Sequence, residues 1–389
     1  LTHKHYITLV YYLTFIILGS ATSIIGPTLH TLADNAGISL AQFGLYLFGR
    51  IVGYTAGTQL AGWLFDRFSG HKLLSSLLFL LGVAVFLTPW AHSLTLLVLV
   101  GLFTGVVESG VDVGGNTLTL WQHPGNVDSY MNGLHFTFGL GAFLAPLIVA
   151  QTISSDGVPL AYAILATTTL IPVLLLLFLP SPQQPTRSED HTATISNPMI
   201  VFVLVSLIFL YVGVEVTLGD WLFTYAQELN LANESEAAYL TSAFWGSFTF
   251  GRLVGIPLAR RFMARHILLA DLVASVFFVA LLLVWVDSTI VWIGVMGIGF
   301  CSASIFPTVM NIAEKNTHMS GQVTSLFFFG AGGGTLILPS MMGWIFETAT
   351  PQTVMVIMLL SFVLMLGVYG MMLRVIAASH RAKTRVVAP

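Results

Sequence analysis

The sequence predicts an all-α membrane protein of twelve transmembrane helices arranged as two six-helix halves. Three observations carry that expectation. Of 389 residues, 56% are hydrophobic and only 8% are charged, where a soluble domain carries roughly 25% charged residues. The apolar residues fall in blocks of about 20 or more, long enough to cross a hydrocarbon core of roughly 30 Å. Finally, lysine and arginine gather in alternate connections between the blocks, the pattern that sets membrane orientation.

Taken in order, the blocks cover about 6–31, 38–65, 73–91, 94–122, 129–154, 159–180, 197–228, 236–260, 267–286, 288–313, 321–347 and 351–376. The first lacks a small-residue cleavage site before a polar region, so it reads as a span and not as a cleaved signal. Leu1 stands where an initiator Met is expected, so further residues are expected before it. Gly and Pro punctuate the spans, as in Gly139-Leu140-Gly141 and Gly332-Gly333-Gly334. Such residues break soluble helices but permit close contact and local bending in a membrane bundle. The single cysteine, Cys301, lies in an apolar block and has no zinc-like spacing around it, so it reads as a packing residue.

Every Lys and Arg except Arg50 and Arg252 lies in the termini or the even-numbered turns, while Asp34, Asp156, Glu234, Asp287 and Glu347 mark the others. Both termini are therefore expected in the cytoplasm, with a bacterial inner membrane as the expected location. Trp90, Trp221, Trp285 and Trp344 near outer ends, and Trp63 and Trp121 near inner ends, fit an interfacial belt. The polar, Pro-broken stretch 181–196 is a flexible linker. It divides the chain into an N-terminal six-helix bundle (1–180) and a C-terminal six-helix bundle with a short cytoplasmic tail (197–389). The sequon Asn233-Glu234-Ser235 lies in an outer turn and reads as a chance match.

Two internal matches compete as the repeat. Aligning the turns at Phe68 and Phe262 gives an offset of 194, and aligning Phe48-Gly49-Arg50-Ile51-Val52-Gly53 with Phe250-Gly251-Arg252-Leu253-Val254-Gly255 gives 202. Topology fixes turns, so 194 is the expected register, with the second match a coincidence. Spans five and eleven also correspond, LHFTFGLGAFLAP at 134–146 with LFFFGAGGGTLILP at 326–339.

Ionisable groups inside lipid are costly and call for a function or a partner. Span four holds Glu108, Asp112 and Asn116, spaced to share one helix face. Such a ridge must face a wet cavity or polar partners. Its carboxylates can take a proton, or bind Na⁺ at Asp112 with the Asn116 carbonyl, and either makes a coupling site; a bland alternative is a structural pair of Glu108 with Arg50 at similar depth on span two. Arg252 in span eight is equally a structural pair or a site residue. His135 in span five can bond a solute hydroxyl or a backbone carbonyl. Glu215 lies near the middle of span seven, where it lines either a cavity or a packed interface, and Asp220 a turn further out is expected at the headgroup interface.

The segment Gly62-Trp63-Leu64-Phe65-Asp66-Arg67-Phe68 resembles the signature loop G-x-L-x-D-R of the major facilitator superfamily, with Ser69 where a further glycine is usual. The resemblance implies that fold, with Gly62, Asp66 and Arg67 forming a cytoplasmic latch between the halves. A narrower resemblance, to the fucose/glucose symporter branch of the superfamily, rests on several segments. These are Asp112-Val113-Gly114-Gly115-Asn116-Thr117, LHFTFGLGAFLAP, Val212-Gly213-Val214-Glu215-Val216, FWGSFTFGR at 244–252, IFPT at 305–308 and TSLFFFGAGGG at 324–334. The fucose permeases also carry an acid in span one, where this chain has none before Asp34.

These readings combine into cation-coupled symport, with H⁺ or Na⁺, of a small neutral solute, a hexose foremost. Asn116, Asn132, His135, Glu215, Thr308 and Asn311 would supply polar contacts, and Trp245, Phe136 or Phe306 an aromatic face. The alternative is export or flipping of an amphipathic or lipid-linked molecule. No enzyme signature such as H-E-x-x-H or G-x-S-x-G is present, so no enzymatic activity, no cofactor beyond the coupling ion, no resident metal and no nucleic-acid partner are expected. The lipid bilayer is the expected environment and a monomer the expected state.

Overall fold

The computed structural model describes residues 3–123, 127–153, 157–183, 197–317 and 321–387. The expected linker therefore lies outside the described residues except for Ser181, Pro182 and Gln183. Helices run α1 (His3–Ser23), α2 (Ile25–Ala36), α3 (Leu40–Phe65), α4 (Gly70–Leu87), α5 (Leu94–Gln122), α6 (Val127–Thr152), α7 (Gly157–Thr168) and α8 (Leu170–Phe178). They continue with α9 (Pro198–Glu228), α10 (Glu234–Arg261), α11 (Ala264–Val284), α12 (Ser288–Ser302), α13 (Ile305–Asn316), α14 (Gly321–Thr348) and α15 (Gln352–Val387).

Three expected spans are broken, as α1–α2, α7–α8 and α12–α13, and proline accounts for each break. Pro27, Pro172 and Pro307 lack the N–H that would bond the carbonyls of Ser23, Thr168 and Ala303, four residues back, and the helix parts there. Ile24 keeps helical angles (φ −66°, ψ −23°), so α2 continues the first span. The real reversal follows at Gly37, whose left-handed φ of 64° caps α2, and α2 and α3 meet at a bend of 114°.

Among the described residues, ten helical segments are long and apolar enough to cross a membrane on their own, and α2 with α3 passes as a bent pair. That is fewer than the twelve expected. The two full-length helices that fall short are α3 and α10, which carry Arg50 and Arg252 together with many small and polar residues. Their positions explain the deficit. Helix α3 packs between α5 and α14, and α10 between α6 and α12, so neither needs an apolar surface all round.

The packing follows a two-fold scheme. Helix α1 pairs with α6 as α9 does with α14, and α3 pairs with α5 as α10 does with α12; α3–α14 and α6–α10 join the two sets. The contacts also correct the repeat register. A Cβ on Gly49 would meet Val98, and one on Gly251 would meet Phe300; Gly53 faces Leu102 as Gly255 faces Ser304. Both members of each pair are displaced by 202 residues (Gly49 to Gly251, Val98 to Phe300), so the FGR match is structural and the offset of 194 is not the register of these helices. Gly141 against Ile16 and Gly334 against Phe209 give a second offset, 193 (Gly141 to Gly334). The turn used as the anchor misleads because α10 ends at Arg261, before the position equivalent to the end of α3.

Lys and Arg side chains mark one end of the bundle (Arg67, Lys72, Arg260, Arg261, Arg265, Lys315) and Asp34, Glu234, Asp287 and Glu347 the other. At the acidic end, hydrogen bonds cross between the two sets: Ala41 N–H to Glu347 Oε1 at 2.8 Å, Ser235 Oγ to the Ala150 carbonyl at 3.2 Å, Ser242 Oγ to the Phe143 carbonyl at 2.7 Å, and Gln151 to the Tyr239 hydroxyl. Toward the basic end Asn132, His135 and Asn311 are exposed.

Candidate functional site

The site begins with a run of glycines. On α3, Gly49, Gly53 and Gly57 recur every four residues along one face, opposite Gly101 and Gly105 on α5. A Cβ on Gly53 would collide with the Leu102 carbonyl oxygen, and one on Gly105 with that of Arg50. With no side chains between them, the two backbones come into direct contact.

That closeness allows two rungs to form one turn apart. The Arg50 guanidinium donates from Nε to Glu108 Oε2 at 2.9 Å and from Nη2 to Glu108 Oε1 at 2.6 Å, both residues being buried. Four residues along each helix, the Tyr54 hydroxyl donates to Asp112 Oδ2. Both rungs join residues 58 apart in sequence, as a parallel pair in constant register requires. Asp112 Oδ1 accepts from Asn116 Nδ2 at 2.8 Å, and the same amide also reaches the Asp112 backbone carbonyl at 2.9 Å.

The two acids of the ridge therefore differ. Glu108 is charge-neutralised by a bidentate partner. Asp112 is half-buried and bound by two neutral donors, with no cation paired to it among the described residues. Tyr54 was not singled out in the sequence, although the signal existed: it lies one turn beyond Arg50, as Asp112 lies one turn beyond Glu108.

The second set of helices repeats this arrangement with one part missing. By the 202-residue register Arg252 is the counterpart of Arg50 and Phe248 of Tyr46, but Met310 stands where Glu108 would. Arg252 lies over the Phe248 ring at 4.6 Å, and its Nε is buried without a hydrogen-bond partner among the described residues. Its charge acts on half-buried Glu215 of α9 and, across the division between the sets, on His135 of α6. His135 also meets Phe15 edge-on, with ring centroids 6.0 Å apart.

Other sequence candidates scatter. Asn132 and Asn311 are exposed, whereas Thr308 and Trp245 are buried, with the Trp245 indole N–H unpartnered among the described residues and its ring packed on Gly219. Gly62 has open space beside it; Asp66 is exposed; Arg67 turns back over Trp63, 4.2 Å from its ring, and donates to the Trp63 carbonyl at 3.1 Å. Asp220 departs from its expected place at the headgroups: it is buried where α9 crosses α2, because Gly26 lets the backbones touch at Gly219 and Asp220. Asp271 in α11 was overlooked, and its carboxylate accepts from Ser304 at the break between α12 and α13. An apolar groove of about 480 Å³ lined by Phe250, Phe278, Met296 and Phe300 shares no residue with the ridge.

This architecture, with a polar ridge inside a two-fold bundle, is that of a membrane transporter. Residues 11–339 match the Major Facilitator Superfamily, and the chain belongs to that family of secondary transporters, which are not enzymes. It is 29% identical to sodium-dependent glucose transporter 1 of Xenopus laevis, over 84% of this chain and 73% of the relative. It is equally 29% identical to sodium-dependent glucose transporter 1 of Homo sapiens, over 85% and 71%. Major facilitator superfamily domain-containing protein 4A of Mus musculus is 23% identical over 87% and 86%. Among solved structures, the nucleoside transporter NupG superposes with a TM-score of 0.76 at 14% identity, covering 96% of this chain and 99% of that one. A D-xylose-proton symporter superposes with a TM-score of 0.74 at 13% identity, covering 94% and 97%. At those identities the structures speak for the fold alone.

Proposed function

We propose that the protein is a cation-coupled symporter of a small neutral solute, most specifically a hexose. The observation that carries this reading is Asp112, a carboxylate inside a span that is held by two neutral donors beside an arginine already committed to Glu108. An ion arriving at Asp112 changes the local charge, and a charge-dependent shift between two packed states couples ion to solute. The relatives named as sodium-dependent glucose transporters support Na⁺ and a hexose as the pair; oxygens of Asp112 and Asn116 suit Na⁺, a hard ion. Arg252 of α10, Glu215 of α9 and His135 of α6 belong to both sets, with the Arg252 charge reaching the other two, and offer donors and acceptors to sugar hydroxyls. With the basic end in the cytoplasm, as the charge pattern favours, the packed acidic end makes this the inward-open state.

A panel of labelled hexoses, with nucleosides and amphipaths as competitors, tests the reading in proteoliposomes under imposed Na⁺ or pH gradients. Gradient-driven accumulation of a hexose is the expected result. Accumulation of none of the hexoses, with displacement of an amphipath instead, would overturn it.

A further inference from the structure

The acidic end closes over a carboxylate that nothing nearby neutralises. Asp220 is 6% exposed. It sits at the crossing where a Cβ on Gly26 would come within 3.2 Å of the Asp220 Cα. Among the described residues no hydrogen bond reaches its carboxylate, and the charges acting on it are those of Arg50 and Glu108. Arg50 is already bound to Glu108 through two nitrogens. One guanidinium thus serves two buried acids, and a negative charge is left over. A second orphan feels the same charges: the Tyr46 hydroxyl of α3 is fully buried, has no hydrogen-bond partner among the described residues, and lies within electrostatic reach of Arg50, Glu108 and Asp220.

Buried polar groups without partners are rare because each costs free energy, so a positive ligand is called for. A metal ion fits poorly. Arg50 would repel it, and no group of three metal-binding side chains exists among the described residues. A proton fits well. Bound covalently to one carboxylate oxygen, it removes the charge and leaves Asp220 a neutral group that burial penalises far less.

We propose that Asp220 is a proton-binding site separate from Asp112, filled while the acidic end is closed and emptied when that end opens to water. The proton comes from water on the acidic side and returns to it. The groups whose charge or dipole reaches Asp220 are Arg50 and Tyr46 of α3 and Glu108 of α5; α2, α10, α13, α14 and α15, which also pack on α9, turn no charge onto it. His30 of α2 answers instead to Glu228, Asp34 and Glu234. This inference rests on the alternating transport proposed above, but not on the identity of the solute or of its coupling ion.

The test reads the gate without any solute. In a Cys301→Ser background, Ala33→Cys places a thiol on buried α2 under the closed end, and Asn35→Cys provides an exposed thiol nearby. Reaction with an impermeant maleimide is followed from the acidic side, and the Ala33→Cys rate is divided by the Asn35→Cys rate to remove the pH dependence of the thiol itself. The ratio is expected to rise roughly tenfold or more from about pH 5 to about pH 9, since ionised Asp220 favours the open end. Asp220→Asn should hold the ratio low at every pH, and Asp220→Glu should keep the rise with a displaced midpoint. A flat ratio in the parent, or the same rise in Asp220→Asn, would overturn the proposal. Loss of sugar uptake with the pH response intact would count against the symport reading alone.

Discussion

Removing Glu108 leaves the Arg50 guanidinium buried with no counter-charge. Glu108→Ala is therefore expected to cost about 3–5 kcal/mol of stability, seen as lost folded yield after detergent extraction. A paired Arg50→Met, Glu108→Leu variant should recover most of that yield, because neither charge is then stranded. Asp112 should behave differently. Asp112→Asn keeps the shape of the group and its Asn116 neighbour while fixing it neutral, so folded yield and exchange between equal solute concentrations should persist while accumulation against a gradient fails. Wild-type accumulation in this variant would count against Asp112 as the coupling group. The sequence alone supplied the Glu108-Asp112-Asn116 ridge and named Arg50 as a possible partner, because carboxylates four residues apart in an apolar helix are conspicuous. It did not expose Tyr54, nor the burial of Asp220. A tyrosine inside a span looks like packing until its partner is known, and the burial of Asp220 depends on Gly26, nearly two hundred residues away in the chain.

At the scale of helices, the contact of α3 with α5 rests on glycines that admit no side chain. Gly105→Ala would drive a methyl into the Arg50 carbonyl, and overpacking of this kind costs typically about 1–3 kcal/mol. The helices should part, lengthening both rungs, and accumulation should fall together with thermal stability. Gly367→Ala is the matched control, since a Cβ there meets nothing within 4 Å, and it should leave a melting curve unchanged. Helix positions were legible from apolar blocks, which record burial against lipid or protein alike. Helix breaks were not, though a rule was available: each lies three or four residues before a proline. Prolines 146, 257 and 339 sit within unbroken helices, so proline alone does not tell a break from a tolerated kink. The repeat register was misjudged for a related reason. Turns vary in length, while glycines at a helix contact are fixed by what they touch.

For the whole molecule, orientation and alternation make separate predictions. A reporter active only outside the cytoplasm should be on when fused after Asp34, Asp156, Glu234 or Glu347, and off after Lys72 or Glu189; the opposite pattern would reverse the assignment of the two ends. The acidic end is held by contacts between the two sets of helices, among them Gln151 with Tyr239. Cysteines at Phe143 and Ser242, where the Ser242 hydroxyl meets the Phe143 carbonyl at 2.7 Å across the two sets, oxidised to a disulfide in a Cys301→Ser background, should block solute movement, and reduction should restore it. Movement at full rate through the oxidised protein would show that this end need not open. Glu347 of α14 adds a different consequence. Its carboxylate accepts the Ala41 N–H at 2.8 Å, at the start of α3. A helix start has free N–H groups that want acceptors and favour negative charge, and here one acceptor belongs to the opposite set. When the acidic end parts, α3 loses that acceptor and keeps only its local Ser39–Gln42 cap. The first turn of α3 should then fray, so amide hydrogens near Ala41 would exchange with deuterium faster in the open state. A backbone isotope signal would thus report which way the transporter faces, with no label attached.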